Sequence, residues 1–336
     1  MMATAREADA PEAEGRAPAT MRAVRMAEFG PPDALRVEEM PVPERRPDID
    51  VLVEVHAAGV NPFDTKIRRG WLRGLFPHQP GHVLGGDVAG VVVDKGFDVS
   101  EVEVGDRVYG LIDTLRPGAY AEYAAVSSYQ LRRMPANLSF EEAAAVPMAA
   151  CTAWYGLVTL GGVRPGSRVL VQAGAGGVGS FAIQIAKHHG AWVAATCSAE
   201  NMDYVRSLGA DEVVDYRAER FADRLSDIDV VLDVIGGEVV LDGYKVLKRG
   251  GTMLVVLRGD PVEMGNRDRL QAEHGVTTKV VAFSAQPQIL DELRPLFESG
   301  AIRPPHLTVL PLEKAAEAHR MAESGRARGK IVLKVR

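Results

Sequence analysis

Short β-branched and apolar runs, broken by Pro, Gly and Asp, dominate the first part of the chain. Val51-Leu52-Val53-Glu54-Val55 and Gly90-Val91-Val92-Val93 are typical. Such runs are too short for helices and are bounded by turn formers, so they predict strands. Their close spacing predicts a small barrel or sandwich-like unit over residues 21–147. After Pro147 the period changes. Residues 168–172, 192–196, 212–215, 229–234, 252–257 and 279–283 read as strands, and residues 177–189, 201–208, 238–247 and 288–299 as helices. In the first of these helices Val178, Phe181, Ala182, Ile185 and Ala186 fall on one face. This alternation predicts an α/β fold with a parallel, doubly wound sheet over residues 148–300. Residues 258–271 and 68–79 read as loops. The closing segment, with strands at 307–310 and 331–335 around a helix at 313–324, is expected to fold back and complete the N-terminal unit with residues 301–336.

A chain of 336 residues is long for one core, since single cores stop growing near roughly 250–300 residues. The net charge of -6 disfavours a general electrostatic grip on nucleic acid, which needs a basic face. Cys151 and Cys197 are the two cysteines, too few for a disulfide framework or a four-cysteine zinc site. A reducing, cytoplasmic setting fits them, with Cys197 read as a small filler. No apolar run is long enough to predict a membrane span. Residues 1–20, rich in Ala, Pro, Glu and Arg, are expected to be a disordered tail and not a signal peptide.

The strongest motif is Val169-Leu170-Val171-Gln172-Ala173-Gly174-Ala175-Gly176-Gly177-Val178-Gly179. It places G-x-G-x-x-G after a strand and at the mouth of a helix. Glycines permit a tight turn and close backbone approach to a pyrophosphate, and the helix N-terminus offers free N–H donors. The motif therefore predicts a dinucleotide site. An NAD site usually carries an acid about 20 residues on, against the ribose 2′-hydroxyl. Here the second strand ends Thr196-Cys197-Ser198, and Glu200 follows where a helix is expected to open. A carboxylate would repel a 2′-phosphate, so its absence from the strand end favours NADPH. Ser198, Asn201, Tyr216 and Arg217 are candidate partners of that phosphate. Helix capping competes for Ser198, and a solvated surface charge is the favoured reading of Arg217.

Further segments then carry a resemblance. Ala58-Gly59-Val60-Asn61-Pro62-Phe63-Asp64, Gly85-Gly86-Asp87-Val88-Ala89-Gly90, Val104-Gly105-Asp106-Arg107-Val108, the glycine loop, Leu208-Gly209-Ala210-Asp211 and Gly329-Lys330-Ile331-Val332-Leu333 occur in order. The chain resembles the zinc-independent medium-chain dehydrogenase/reductases, in their quinone oxidoreductase and alkenal or enone reductase branch. The resemblance implies a GroES-like β-rich catalytic domain joined to a Rossmann domain, with the active site between them. It implies an NADPH-dependent reduction of an enone, alkenal or quinone, and a homodimer. Zinc relatives use Cys, His and Cys or Asp as ligands; the matching positions are Asn61, Gly86 and Met148, so no metal is expected. His82, next to Gly81 and followed by Val83, is read as a loop or partly buried histidine.

Without a metal, a cation near the carbonyl oxygen would stabilise the developing enolate. The resemblance points to Lys66, which would touch both cofactor and substrate; a solvated surface charge is its competing reading. Asn61 is a candidate to hydrogen-bond substrate or cofactor, or simply to form the turn before Pro62, and Asp64 is a candidate to orient Lys66 or to cap a helix. The resemblance also places Thr152, Val234, Ile235, Gly236, Leu257, Phe283, Ser284, Gly329 and Lys330 around the cofactor. Tyr120 and Tyr123 read as barrel packing. Two other readings compete: a quinone-oxidoreductase-like protein that binds RNA or serves as a structural protein, and a metal-dependent alcohol dehydrogenase.

Overall fold

The computed structural model describes residues 17–256, 260–282 and 286–336. Most of the expected tail, and the expected cofactor contacts Leu257, Phe283 and Ser284, lie outside the described residues. Thr20, assigned above to the tail, instead opens the strand Thr20–Met26, which pairs antiparallel with Leu35–Pro41.

Two larger sheets organise the rest. The β-rich sheet runs Leu307–Pro311, Lys330–Lys334, Asp50–Val60, Asp87–Lys95, Arg107–Leu111, Leu131–Arg133, with Tyr123–Ser127 also paired to Asp50–Val60. The C-terminal strand lies antiparallel on Asp50–Val60, with Ile331 opposite Val60 and Lys334 opposite Ala57. The closing segment thus returns to the N-terminal strands, as its pattern predicted. Tyr120 is fully buried in this unit.

The second sheet is six-stranded and wholly parallel. Its order is Glu212–Asp215, Trp192–Cys197, Arg168–Val171, Ile228–Asp233, Leu247–Val255, Thr277–Val280. Numbered in chain order the strands run 3-2-1-4-5-6, so the winding order reverses between Arg168–Val171 and Ile228–Asp233. Ligands bind outside the carboxyl ends of strands at such a reversal. The core strands read as near-continuous apolar runs because helices cover both faces. Phe181 and Phe297, from helices Gly177–His188 and Pro287–Glu298, meet edge to face in this core, with ring centres 6.1 Å apart.

Two segments depart from the sequence expectation. The expected loop at 258–271 is largely the helix Pro261–His274. Only Glu263 and Leu270 in it are buried, so it has no apolar stripe to betray it. Its signals were local ones. The Asp260 carboxylate accepts from the Glu263 N–H, Pro261 stands at the first position, and Gly275 closes it at φ 64°. The second departure is the helix Pro147–Trp154, which widens into a π-helical segment, Tyr155–Leu160.

Phe297→Ala should lower the stability of the protein by about 3–5 kcal/mol, because a fully buried ring is replaced by a cavity. Urea unfolding followed by tryptophan fluorescence measures it.

Candidate active site between the two sheets

The strand Arg168–Val171 runs into the glycine loop, and the backbone there leaves no room for side chains. Ala173 holds a left-handed conformation at φ 49°. A Cβ on Gly179 would stand 2.2 Å from the Ala173 carbonyl oxygen, and one on Gly174 would stand 3.0 Å from both the Ala195 methyl and Ile183 Cδ1. The helix Gly177–His188 starts at this turn with Gly176 extended before it. Its first N–H groups have no intrahelical acceptor and face outward with the positive end of the helix dipole. The loop therefore fits a dinucleotide pyrophosphate on its own geometry.

The catalytic unit docks onto the same loop. Gly329, at φ 66°, forms a parallel bridge with Gly176 and donates its N–H to the Ala175 carbonyl at 2.7 Å. Between them runs a cleft of about 200 Å³. Of the expected residues, Asn61, Gly176, Gly177, Val178, Gly179, Val234, Gly329 and Lys330 line it. It shares Ala173, Gly176, Gly325 and Ala327 with a second cavity of about 130 Å³, which reaches Ala175, Ser198, Asn201 and Tyr216.

Lys66, Thr152, Gly174, Ile235 and Gly236 are not among the residues lining these cavities. Gly174 supports the turn from beneath. The Thr152 hydroxyl donates back to the Met148 carbonyl at 2.7 Å. Ile235 and Gly236 donate their N–H groups to the Asp233 carboxylate. Lys66 sits half-buried on the helix Pro62–Arg68, and no carboxylate faces its ammonium among the described residues. Burial pushes its pKa down. Asp64 does not orient it. The Asp64 carboxylate instead accepts the Asn61 N–H at 2.8 Å and the Tyr120 hydroxyl at 3.3 Å. A short helix turns Asp64 inward while Lys66 leaves on another side.

A buried charge cluster forms the floor of the cleft. The Lys330 ammonium donates to Asn61 Oδ1 at 2.6 Å, Asp87 Oδ2 at 3.1 Å and the Val60 carbonyl at 3.2 Å. Asp87 also accepts from Asn61 Nδ2 at 2.9 Å and from the Met148 N–H at 2.8 Å. Asn61 therefore lines the cleft with both ends of its amide already committed. Asp87 was missed as a site residue: it stands in Gly85-Gly86-Asp87, but its partner Lys330 is 243 positions away. A buried acid pairs with a buried base because neither charge is tolerated alone.

At the other end, Ser198 stands at the N-cap of the one-turn helix Ala199–Asn201 but makes no side-chain capping bond; its Oγ accepts from Asn201 Nδ2 at 3.0 Å. Glu200, set aside above as the opening of a helix, lines the second cavity. Arg217, read as a solvated charge, lines it too and pairs with Glu200 at 3.2 Å. The acid next to the strand end is thus present but matched by a cation. Burial pushes the Cys197 thiol up to about 11, which suits a filler and not a redox thiol.

The zinc-ligand positions of related enzymes are also close together. A Cβ on Gly86 would be 3.4 Å from Met148 Cε, and the Met148 N–H and Asn61 amide share Asp87. A committed amide, a bare backbone and a thioether do not make a zinc ligand set. Among the described residues no group of three or more His, Cys, Asp and Glu is placed to hold a metal. His82 packs against His78, ring centres 4.7 Å apart, and its pKa falls to about 4 through burial and the neighbouring imidazole.

A GroES-like unit locked onto a dinucleotide-binding sheet defines an oxidoreductase of the medium-chain type. Residues 47–136 match the alcohol dehydrogenase GroES-like domain, and residues 208–333 match the zinc-binding dehydrogenase domain. A 2-methylene-furan-3-one reductase of Solanum lycopersicum is 38% identical over 331 residues, covering 94% of this chain and 79% of that one. A chloroplastic NADPH-dependent alkenal/one oxidoreductase of Arabidopsis thaliana is 37% identical, covering 96% and 81%. The quinone oxidoreductase structure from Coxiella burnetii superposes with a TM-score of 0.86 at 33% identity, over 94% of this chain and 100% of that one. The chain belongs to the medium-chain dehydrogenase/reductase family.

Gly179→Ala should weaken binding of a nicotinamide dinucleotide at least about tenfold, about 1.4 kcal/mol, because the new methyl meets backbone and forces the glycine loop open. Quenching of protein fluorescence on NADPH titration reads it out.

Proposed function

We propose that the protein is an NADPH-dependent, zinc-independent reductase of α,β-unsaturated carbonyl compounds or quinones. The observation that carries this reading is the continuous cleft from the Ser198 end, past the glycine loop, to the Asn61–Lys330–Asp87 floor. A dinucleotide lying along it has its adenosine at one end and its nicotinamide at the other, and supplies the hydride. The reductase activities of the tomato and Arabidopsis relatives support the substrate class.

The chain's own residues then have distinct tasks. The N–H groups of Gly177, Val178 and Gly179 hold the pyrophosphate. Ser198, Asn201 and Tyr216 meet the 2′-phosphate, and Arg217 turns from Glu200 to the stronger anion. Val234, Gly329 and Lys330 are assigned to the nicotinamide half of the cleft they line, and Thr152, Ile235 and Gly236 to its surroundings. The lone ammonium of Lys66 stabilises the oxygen that gains negative charge as hydride reaches the β-carbon. Asn61 holds Lys330 in place and presents its remaining amide hydrogen to the cleft.

We assign residues 21–147 with 301–336 to the catalytic domain and 148–300 to the cofactor domain. The two buried free thiols suit a cytoplasmic setting, and no helix among the described residues is long and apolar enough to cross a membrane. The edge strand Thr277–Val280 offers open backbone groups for a homodimer built sheet to sheet. Light scattering should give twice the chain mass of 36.2 kDa.

Loss of the dihydronicotinamide absorbance with a panel of enones, alkenals and quinones tests the activity. Turnover should prefer NADPH over NADH. Lys66→Ala should lower kcat with enones by about 10²-fold, the usual effect of removing one oxyanion-stabilising group. An unchanged rate in that variant would remove Lys66 from the chemistry.

A further inference from the structure

Reduction of an enone needs a proton as well as a hydride. The helix Pro62–Arg68 carries a buried carboxyl that none of the tasks above employs. Asp64 borders a cavity of about 20 Å³, shared with Phe63, Gly86 and Met148. That is room for about one water. On its inner side Asp64 accepts from the Asn61 N–H and from the Tyr120 hydroxyl. Tyr120 is also 3.2 Å from His319 Nε2, on the helix Ala315–Glu323. Tyr120 and His319 are buried, so this chain of groups is shielded from solvent on that side.

We propose that Asp64 is the proton store of the reduction, acting through a water in the cavity it borders, with Tyr120 and His319 as positioning residues. This rests on the enone-reductase reading. In one turnover the dihydronicotinamide would give up a C–H bond and be oxidised by two electrons, and the hydride with its electron pair would form a C–H bond at the β-carbon. The π pair of the C=C bond moves toward the carbonyl oxygen, giving an enolate. The Asp64 O–H bond breaks as its proton passes to the cavity water, and a proton of that water forms the α-carbon C–H bond. The carboxylate left behind is reprotonated from solvent. Tyr120 donates to that carboxylate, and His319 holds the Tyr120 hydroxyl in place.

The surroundings supply the proton affinity. Burial first, and then the Asp87 carboxylate, raise the Asp64 pKa to about 7, against the Asn61 N–H, the Lys330 ammonium and the Tyr120 hydroxyl, which lower it. His82, Asp113 and Arg116 border the same cavity, and Arg68 with its partner Glu323 lies behind Tyr120 and His319. His319 is itself neutral, its pKa lowered to about 3 by burial and by Arg68. Asp64 thus carries its proton below about pH 7 and loses it above.

Two measurements test this. Carbon NMR of carboxyl-labelled aspartates in the cofactor-free protein should show one resonance titrating near pH 7, absent in Asp64→Asn and moved to higher pH in Tyr120→Phe, which loses a bond that favours the carboxylate. In kinetics with NADPH, wild-type enone turnover should fall as pH rises through the same value, and the limb should move up in Tyr120→Phe. Asp64→Asn should lose about 10²-fold more turnover with an enone than with a quinone, whose product oxygens take protons directly from solvent. Equal losses with both acceptors, or an Asp64 resonance that titrates near pH 4, would overturn the proton store. Wild-type protein that turns over neither acceptor would overturn the reductase reading itself.

Discussion

The structure depends on one buried ion pair. Lys330 comes from the closing strand, Asp87 from the middle of the β-rich sheet, and Asn61 from the end of the strand Asp50–Val60. All three are nearly solvent-free. Taking these charges out of water is costly, and only the full set of hydrogen bonds offsets it. That requirement ties three distant pieces of chain to one point. The same point receives the Met148 N–H, where the chain leaves the β-rich unit for the cofactor sheet. The residue before Lys330, Gly329, bonds to the glycine loop. One charge cluster therefore fixes the barrel, its C-terminal completion and the docking of the cofactor loop.

Around that anchor the cleft divides by chemistry. At the loop the backbone is bare: a Cβ on Gly179 would strike the Ala173 carbonyl, and one on Gly174 or Gly177 would strike packed side chains. At the Ser198 end, small polar groups and a matched Glu200–Arg217 pair leave room for an anion to compete for the guanidinium. At the floor, Asn61, Asp87 and Lys330 bond to one another. The helix Pro62–Arg68 that follows Asn61 carries two shifted groups: the half-buried Lys66 ammonium, and the Asp64 carboxyl raised by burial and by Asp87. Both are shifted toward neutrality by the same low-dielectric surroundings.

Long periodic segments were readable from sequence. The strands at 168–172 and 212–215 and the helix at 177–189 agree with the structure to within a residue, because an apolar strand or an amphipathic helix declares its own period. The helix Pro261–His274 was not readable that way. It lies on the surface, and its only marks were the Asp260 cap, Pro261 and Gly275. The π-helical segment Tyr155–Leu160 left no periodic signature.

By itself the sequence determined the fold class, the dinucleotide loop and the poverty of zinc ligands at Asn61, Gly86 and Met148. The α/β alternation and the glycine loop follow from residue type at local spacing, and the three zinc positions from the family resemblance. Only the tertiary structure decided that Asp64 serves Asn61 and Tyr120 and not Lys66, that Arg217 and Glu200 share a cavity, and that Lys330 is the cation of the floor. Those facts concern which side chains meet in space, whether 17 positions apart as Glu200 and Arg217 or 243 as Asp87 and Lys330. The energy of burying a charge depends on its partners in space, and no local pattern encodes them.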